Sequence, residues 1–287
     1  MFQKIFTLVI ISLLFFSCNK TYENALKSND PDKMLAAANT LFEQEKWQYA
    51  IELYGKVASN FAGMDEAEQI AYNSAYANFQ DKNYPLAGRQ YKNFHSGFSR
   101  SDKAEEALFM SAFSYYQGSP DYNLDQKNTR EAITELQNFI DTYPNSEKIV
   151  EANQYINELQ EKLAQKDFEI ARSYHKTLKY KSAATSFANF LDDFPDSKYR
   201  EEAFIYQLRS KSELALQSTF AKKKLRLQEA LTTHRLFTRA YPNSKFSQEA
   251  NNLRDKLIRE TEQHEVALAN YEVAKKEAEE KAKKEVN

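Results

Sequence analysis

One short turn is written five times along this chain. Phe194-Pro195-Asp196-Ser197 is its clearest copy, and Tyr143-Pro144-Asn145-Ser146 and Tyr241-Pro242-Asn243-Ser244 repeat it closely. Phe61-Ala62-Gly63-Met64 and Phe98-Ser99-Arg100-Ser101 are degenerate copies. Each is soon followed by Glu-Ala, at Glu66-Ala67, Glu106-Ala107, Glu151-Ala152, Glu202-Ala203 and Glu249-Ala250. Self-similarity at a spacing of roughly 20–50 residues marks a stack of helical repeats, in which no repeat buries its apolar face alone. Few Gly (5) and Pro (6), with abundant Ala, Leu, Lys, Glu and Gln, favour helix throughout.

The rest of each repeat falls into register with the turn. Twelve residues upstream stands a small residue: Ala50, Ala87, Ala132, Ala183 and Ala230. Two helices that cross closely leave no room there for more than a methyl group. Four residues on stands a bulky one, Tyr54, Tyr91, Leu136 or Phe187, with His234 the departure. Where the loop is short, a second small residue precedes the crossing alanine by twelve, at Ala38, Ala75 and Ala171. This pattern resembles the tetratricopeptide repeat over residues 31 to about 257. The resemblance implies an all-α solenoid of about five helix-turn-helix repeats, each a helix A followed by a helix B.

The turns lie 37, 45, 51 and 47 residues apart, and the excesses locate insertions. Eight extra residues fall between helices A and B of repeat 3, where Gly118-Ser119-Pro120 opens a loop to about Asn128. Ten fall at the same place in repeat 5, around Phe220 to Leu227. Fourteen fall between Ser146 and Phe168, and fourteen residues make close to four turns of α-helix. Helix A of repeat 4 can therefore grow backwards without rotating its buried face. The expectation is one long connecting helix from about Glu147 to His175, with two sub-modules on a rigid axle. Beyond repeat 5, Phe246, Ala250, Leu253, Leu257, His264, Leu268 and Tyr271 continue a helical stripe into a charged C-terminal helical tail at 258–287. The expected division is therefore 1–17, 18–30, 31–146 for repeats 1–3, 147–257 for the long helix with repeats 4–5, and the tail.

Residues 1–17 read as a signal peptide. Lys4 precedes an apolar run from Ile5 to Phe16, too short to span about 30 Å of hydrocarbon. Cys18, the one cysteine, stands where a lipoprotein signal peptidase would cleave, so we expect it to carry a lipid anchor to the membrane. Phe15 and Phe16 make a loose version of the cleavage motif. Residues 18–30 are polar and read as a tether. With Cys18 acylated no thiol is left for a disulfide or a Cys-based metal site. Loss of Lys4 with the signal moves the formal net charge from −2 to −3, which gives no reason to expect nucleic acid.

No catalytic constellation is visible. His95, His175, His234 and His264 form no His-Glu-x-x-His pair and have no cysteine with which to share a metal. The scattered glycines make no phosphate loop, dinucleotide fingerprint or nucleophile elbow. Enzymatic activity, a cofactor and a metal are accordingly not expected.

The 20 Phe and 18 Tyr lie almost wholly inside the repeats, where they either pack the helices or line a groove. In a tetratricopeptide superhelix the concave face comes from places 2, 5, 9 and 12 of helix A. Carried over, these are Leu35, Asn39 and Phe42 in repeat 1, and Gln69, Tyr72, Tyr76 and Phe79 in repeat 2. Repeat 3 supplies Glu106, Phe109, Phe113 and Tyr116, and repeat 4 Gln165, Phe168, Arg172 and His175. Phe42, Tyr72, Tyr76, Phe79, Phe109, Phe113 and Tyr116 are the candidate peptide groove, suited to an extended segment with apolar or aromatic side chains. Packing of neighbouring helices is the alternative role for these rings. Lys222-Lys223-Lys224 and Arg226 form one compact basic cluster, either a solvated loop or a contact for acidic headgroups or an acidic partner.

A lipidated cysteine, a short tether and five such repeats together resemble the BamD family of outer-membrane assembly lipoproteins. So do the runs Tyr22-Glu23-Asn24-Ala25-Leu26-Lys27-Ser28, Glu105-Glu106-Ala107-Leu108-Phe109-Met110 and Tyr122-Asn123-Leu124-Asp125-Gln126, in a Bacteroidetes-type form. The resemblance implies a periplasm-facing subunit of the Bam complex at the outer membrane. It would hold the POTRA domains of a BamA-like barrel protein and receive unfolded outer-membrane β-barrel precursors. BamA contact is associated with the C-terminal repeats, and substrate signals with the N-terminal groove. A periplasmic repeat scaffold that coordinates cell-wall synthesis is the alternative, although such proteins generally lack lipid. Glycan-capturing surface lipoproteins are much longer.

Overall fold

The computed structural model describes residues 19–285, and all of the regular structure in that span is helical. The chain divides into two compact units, the first ending at Gln160 and the second beginning at Glu161. The first holds α1 (Asn19–Ser28), α2 (Pro31–Glu43), α3 (Trp47–Val57), α4 (Glu66–Gln80), α5 (Tyr84–Gly97), α6 (Ala104–Gln117) and α7 (Lys127–Thr142). The long helix α8 (Ile149–Lys176) crosses the division. The second unit continues through α9 (Tyr180–Asp193), α10 (Arg200–Leu216), α11 (Phe220–Ala240) and α12 (Ser247–Glu285). The helices pair as tetratricopeptide repeats, α2 with α3, α4 with α5 and α6 with α7, then α8 with α9 and α10 with α11.

The crossing alanines do what their size requires. Ala50, Ala87, Ala132, Ala183 and Ala230 are all fully buried, as are Ala38, Ala75 and Ala171. Next to them Tyr54, Tyr91, Leu136 and Phe187 are sealed from solvent, and His234 fills the same place in the last repeat. Three residues further on, Val57, Phe94, Phe139, Phe190 and Phe237 form a second buried row. Each such ring fully covered contributes on the order of 2–3 kcal/mol through the apolar surface it removes from water.

The five repeated turns share one hydrogen-bond pattern. The N–H of the fourth residue reaches the carbonyl of the first, from Met64 to Phe61, Ser101 to Phe98, Ser146 to Tyr143, Ser197 to Phe194 and Ser244 to Tyr241. The serine explains the motif. Its Oγ accepts from the N–H two residues on at Lys103, Lys148, Tyr199 and Phe246, at 3.0, 3.2, 3.2 and 2.9 Å. Donors left orphaned at a helix start are satisfied in this way.

Inside repeats 1, 2 and 4 the A–B turn is tighter. Glu45, Lys82 and Leu178 take φ of 57°, 63° and 61°, the left-handed region. The residue after each bonds five back, Lys46 to Leu41, Asn83 to Asn78 and Lys179 to Tyr174, which closes a Schellman cap. Repeat 3 instead carries its extra residues as a loop between Gln117 and Lys127. The buried Gln126 staples that loop, donating to the carbonyls of Asp121 (2.8 Å) and Leu124 (3.0 Å) and accepting from Thr129 (2.7 Å).

Two expectations need correction. The extra residues of repeat 5 do not open a loop around Phe220 to Leu227; they add turns to α11, which starts at Phe220. Ten residues are close to three helical turns, so α11 lengthens while its buried face keeps its register. Nor is the stretch after Cys18 a bare tether. Residues 19–28 form α1, in which Ala25 is buried and Tyr22 and Leu26 pack on the first core. Those three residues are spaced i, i+3, i+4, an apolar stripe too short to stand out among polar neighbours. Residues 1–17 and Cys18 lie outside the described residues. No helix among the described residues is long and apolar enough to cross a membrane.

Candidate functional site

Aromatic rings in the first unit form a ladder rather than isolated core contacts. At its start Phe42 meets Trp47, Tyr54 and Tyr76 with ring centroids 5.4, 6.2 and 5.5 Å apart, and Trp47 also touches Tyr76 at 5.8 Å. Tyr72 leans on Tyr91 and Phe94 at 5.6 and 5.3 Å. Phe79 lies between Tyr84 (5.5 Å) and Phe113 (5.7 Å). Phe113 then stacks with Phe109 (6.1 Å) and Tyr116 (5.9 Å), and Tyr116 stacks with Tyr155 at 4.2 Å. Edge and offset contacts of this kind add about 0.5–1.5 kcal/mol per pair beyond burial.

Six of the seven sequence candidates, Phe42, Tyr72, Tyr76, Phe79, Phe113 and Tyr116, are half-buried. Phe109 differs. It is 3% exposed, covered by Phe139 at 5.2 Å, and is a floor of the ladder rather than a wall. The structure adds Trp47, Tyr84 and Tyr155. The first two open helix B, five residues after Phe42 and Phe79, and each closes back over the Schellman turn onto that ring. Tyr180 repeats the contact on His175 at 5.5 Å. That recurrence was a signal available in the sequence. Tyr155 had none, because it sits in the fourteen inserted residues that have no counterpart in other repeats.

Carboxylates hold the rim tyrosines. Tyr116 donates its hydroxyl to Glu158, and Tyr155 donates to Glu151 at 2.5 Å. Burial together with Glu158 pushes the Tyr116 phenol up to about 12, and burial with Glu151 pushes Tyr155 higher still. Burial with Glu106 raises Tyr72 as well. These phenols remain protonated donors near neutral pH. Lys103 and Lys148 place their ammonium groups over the Tyr72 and Phe109 rings, each at 4.4 Å.

In the second unit the corresponding places are more polar, and one of them, Arg172, is charged. Phe168 is buried and stacks on Tyr199 at 5.1 Å. Gln165 is half-buried. Arg172 pairs with Glu169 at 2.7 Å. His175 shares a hydrogen bond with Ser210 at 2.9 Å, and burial with the nearby Arg209 pulls its pKa down. Arg209 grips Glu249 through two bonds of 2.5 and 2.6 Å while its guanidinium lies 4.5 Å over Tyr206. Of the basic cluster, Lys223 is tied to Glu260 at 2.6 Å and Arg226 to Ser218 at 2.8 Å, whereas Lys222 and Lys224 stay exposed. Among the described residues no group of three or more His, Cys, Asp or Glu is placed to hold a metal ion.

The described residues thus form a half-open aromatic strip with neutral donors on a repeat scaffold. Comparison with known proteins gives the family. The model of the YfiO family, described as an outer membrane lipoprotein, matches residues 27–227. No curated protein matches the chain. Among solved structures, similar chains include a TPR repeats protein from Bacteroides fragilis, at 14% identity over 79% of this chain and 97% of that one, with a TM-score of 0.39. Another is the TPR2AB domain of yeast Sti1 in its pHSP90 complex, at 15% identity over 79% and 98%, with a TM-score of 0.36. A computationally designed cyclic homo-oligomer matches at 12% identity over 91% and 97%, with a TM-score of 0.24. All three scores are below 0.5, so the repeat assignment rests on the chain's own turns and crossings.

Proposed function

The chain belongs to the YfiO family of outer-membrane lipoproteins, and from that membership we propose that it is a non-catalytic subunit of the outer-membrane β-barrel assembly machine, of the BamD type. In this reading Cys18 is acylated and anchors the protein to the periplasmic side of the outer membrane. The repeats hold the POTRA domains of a BamA-like barrel protein, and the aromatic strip of the first unit receives unfolded barrel precursors. The local runs at Glu105–Met110 and Tyr122–Gln126 suggest the Bacteroidetes-type form of the family. The observation that carries the reading is the family match over residues 27–227, most of the chain.

The strip fits that role physically. A barrel precursor typically ends in an aromatic residue on an amphipathic strand, and half-open rings offer such side chains area without a closed pocket. Recognition of this kind is weak enough to release the strand for insertion, since an open strip desolvates only part of each ring. Purification of the lipidated protein from outer membranes in mild detergent, with partners identified by mass spectrometry, tests the proposal. A POTRA-bearing barrel protein recovered in stoichiometric amount is the expected result. Recovery of cell-wall synthases in its place would overturn the assembly reading and leave the fold intact.

A further inference from the structure

Two tyrosines occupy one and the same repeat position and differ in a single respect. Tyr54 and Tyr91 each stand four residues after a crossing alanine, and both are fully buried. The Tyr54 hydroxyl is satisfied on both sides: it donates to Asn39 at 2.8 Å and accepts from the Asn73 amide at 3.2 Å. Asn39 lies on helix A of its own repeat, Asn73 on helix A of the next. At the equivalent places around Tyr91 the chain supplies Tyr76 and Met110, and the Tyr91 hydroxyl has no hydrogen-bond partner.

An unpaired buried hydroxyl costs about 1–3 kcal/mol, and phenylalanine would fill the same space without that cost. The surroundings show where the group leads. Tyr91 shares a cluster with Ala75, Phe94 and Ala107, which are closed from solvent, and the half-exposed Ala71, Tyr72, Tyr76, Phe79, Phe98 and Met110 pack against it. Five of these six half-exposed residues, all but Phe98, are on α4 and α6, the helices that carry the aromatic strip. Most of the half-exposed cover of this cluster therefore belongs to the helices of the strip, and exposed side chains exchange rotamers on fast timescales.

We propose that the Tyr91 hydroxyl is a ligand-reading group of the strip, which takes from a bound segment the amide that Asn39 and Asn73 give to Tyr54. The inference rests on the strip being a peptide site and assigns its polar contact. An extended chain that lays aromatic side chains on Tyr76, Phe79 and Phe113 brings a main-chain amide, or an Asn or Gln side chain, over the gap between α4 and α6. The hydroxyl can donate to its oxygen or accept from its N–H. The rings supply area for any apolar segment, and this one group would favour a segment whose amide arrives at that point.

The test uses the whole chain and two synthetic peptides that alternate Phe and Thr, one of them with a single Asn in place of a Thr. Tyr91→Phe should raise the melting temperature by about 2–4 °C, the shift that removal of a roughly 1 kcal/mol penalty produces at this size. The same change should weaken peptide binding about fivefold, as loss of one hydrogen bond does. Tyr54→Phe, at the equivalent position, should instead lower the melting temperature, because it removes two hydrogen bonds and relieves no unpaired group. Loss on Tyr91→Phe for both peptides identifies a main-chain amide; loss for the Asn peptide alone identifies a side-chain amide. Equal binding by wild type and Tyr91→Phe would overturn this inference and leave the peptide-site reading standing. If neither peptide binds the wild type, the peptide site and the role of Tyr91 fall together.

Discussion

The two units of this chain share a skeleton and differ in what they display. At the crossings, in the serine turns and in the buried rows, repeat 2 and repeat 4 are interchangeable: Ala87 and Ala183, Phe94 and Phe190, Phe98 and Phe194 do the same work. On helix A the ninth and twelfth places are Tyr76 and Phe79 in one and Arg172 and His175 in the other. The first unit therefore presents neutral rings that touch one another. The second presents cations already engaged by Glu169 and Glu249. Small residues and turn chemistry fix the fold, and the face is left free to specialise.

The largest effects should be common to both units. Phe94→Ala and Phe190→Ala remove rings that are 1% and 2% exposed at the same repeat position. Each should cost about 3–5 kcal/mol, the transfer loss plus the cavity left behind. Hydrogen exchange of the amides in the affected unit would measure it. A cost below about 1 kcal/mol at one position but not the other would break the claim that the skeleton is shared.

The next effect should separate the units. Phe113→Ala with Tyr116→Ala strips the half-exposed end of the ladder and should weaken binding of an aromatic peptide about tenfold or more, since aromatic anchors dominate such contacts. Arg172→Ala with Arg209→Ala should leave that affinity unchanged. Titration calorimetry decides between them. An equal loss from both pairs would mean that the ladder is packing and that the peptide binds elsewhere.

How much of this was legible in the sequence depends on whether a residue repeats. The crossing alanines and the turns recur five times, so their register could be read without a structure. The long helix was legible because fourteen residues preserve its face. The extra residues of repeat 5 were misplaced because Phe220 to Leu227 holds no Gly or Pro to break a helix, and a length excess alone cannot distinguish loop from helix. Tyr155 joins the ladder from an insertion that occurs once. The role of Phe109 was hidden for another reason: a concave-face place names a direction, and only packing on Phe139 shows that the ring is covered.

Acidification should also act unequally. Burial pulls His175 and His234 below their ordinary range in the second unit, and His95 in the first. A histidine whose folded pKa is depressed takes its proton more readily when unfolded, so stability is lost as pH falls through the unfolded value of about 6.5 towards the folded one. Each group can contribute at most about 1.4 kcal/mol per pH unit in that window. With two such groups against one, the second unit should lose protection faster between about pH 7 and 5. Replacing His175 and His234 by Asn should flatten its slope below that of the first unit, which keeps His95. A slope that survives both replacements would assign the sensitivity to other groups.

The smallest effect returns to the shared skeleton. Lys82 and Leu178 are exposed and hold φ of 63° and 61° at equivalent turns, one in each unit. A side chain in this region costs roughly 1–2 kcal/mol, from which glycine is free apart from the extra entropy it loses on folding. Lys82→Gly and Leu178→Gly should therefore each stabilise by a few tenths to about 1 kcal/mol, with the same sign in both units. Both side chains lie outside the cores, so little burial is lost to offset the gain. Denaturant midpoints at unchanged slope would record it. Opposite signs would show that one of these turns is held by its side chain rather than by the backbone bonds from Asn83 to Asn78 and from Lys179 to Tyr174.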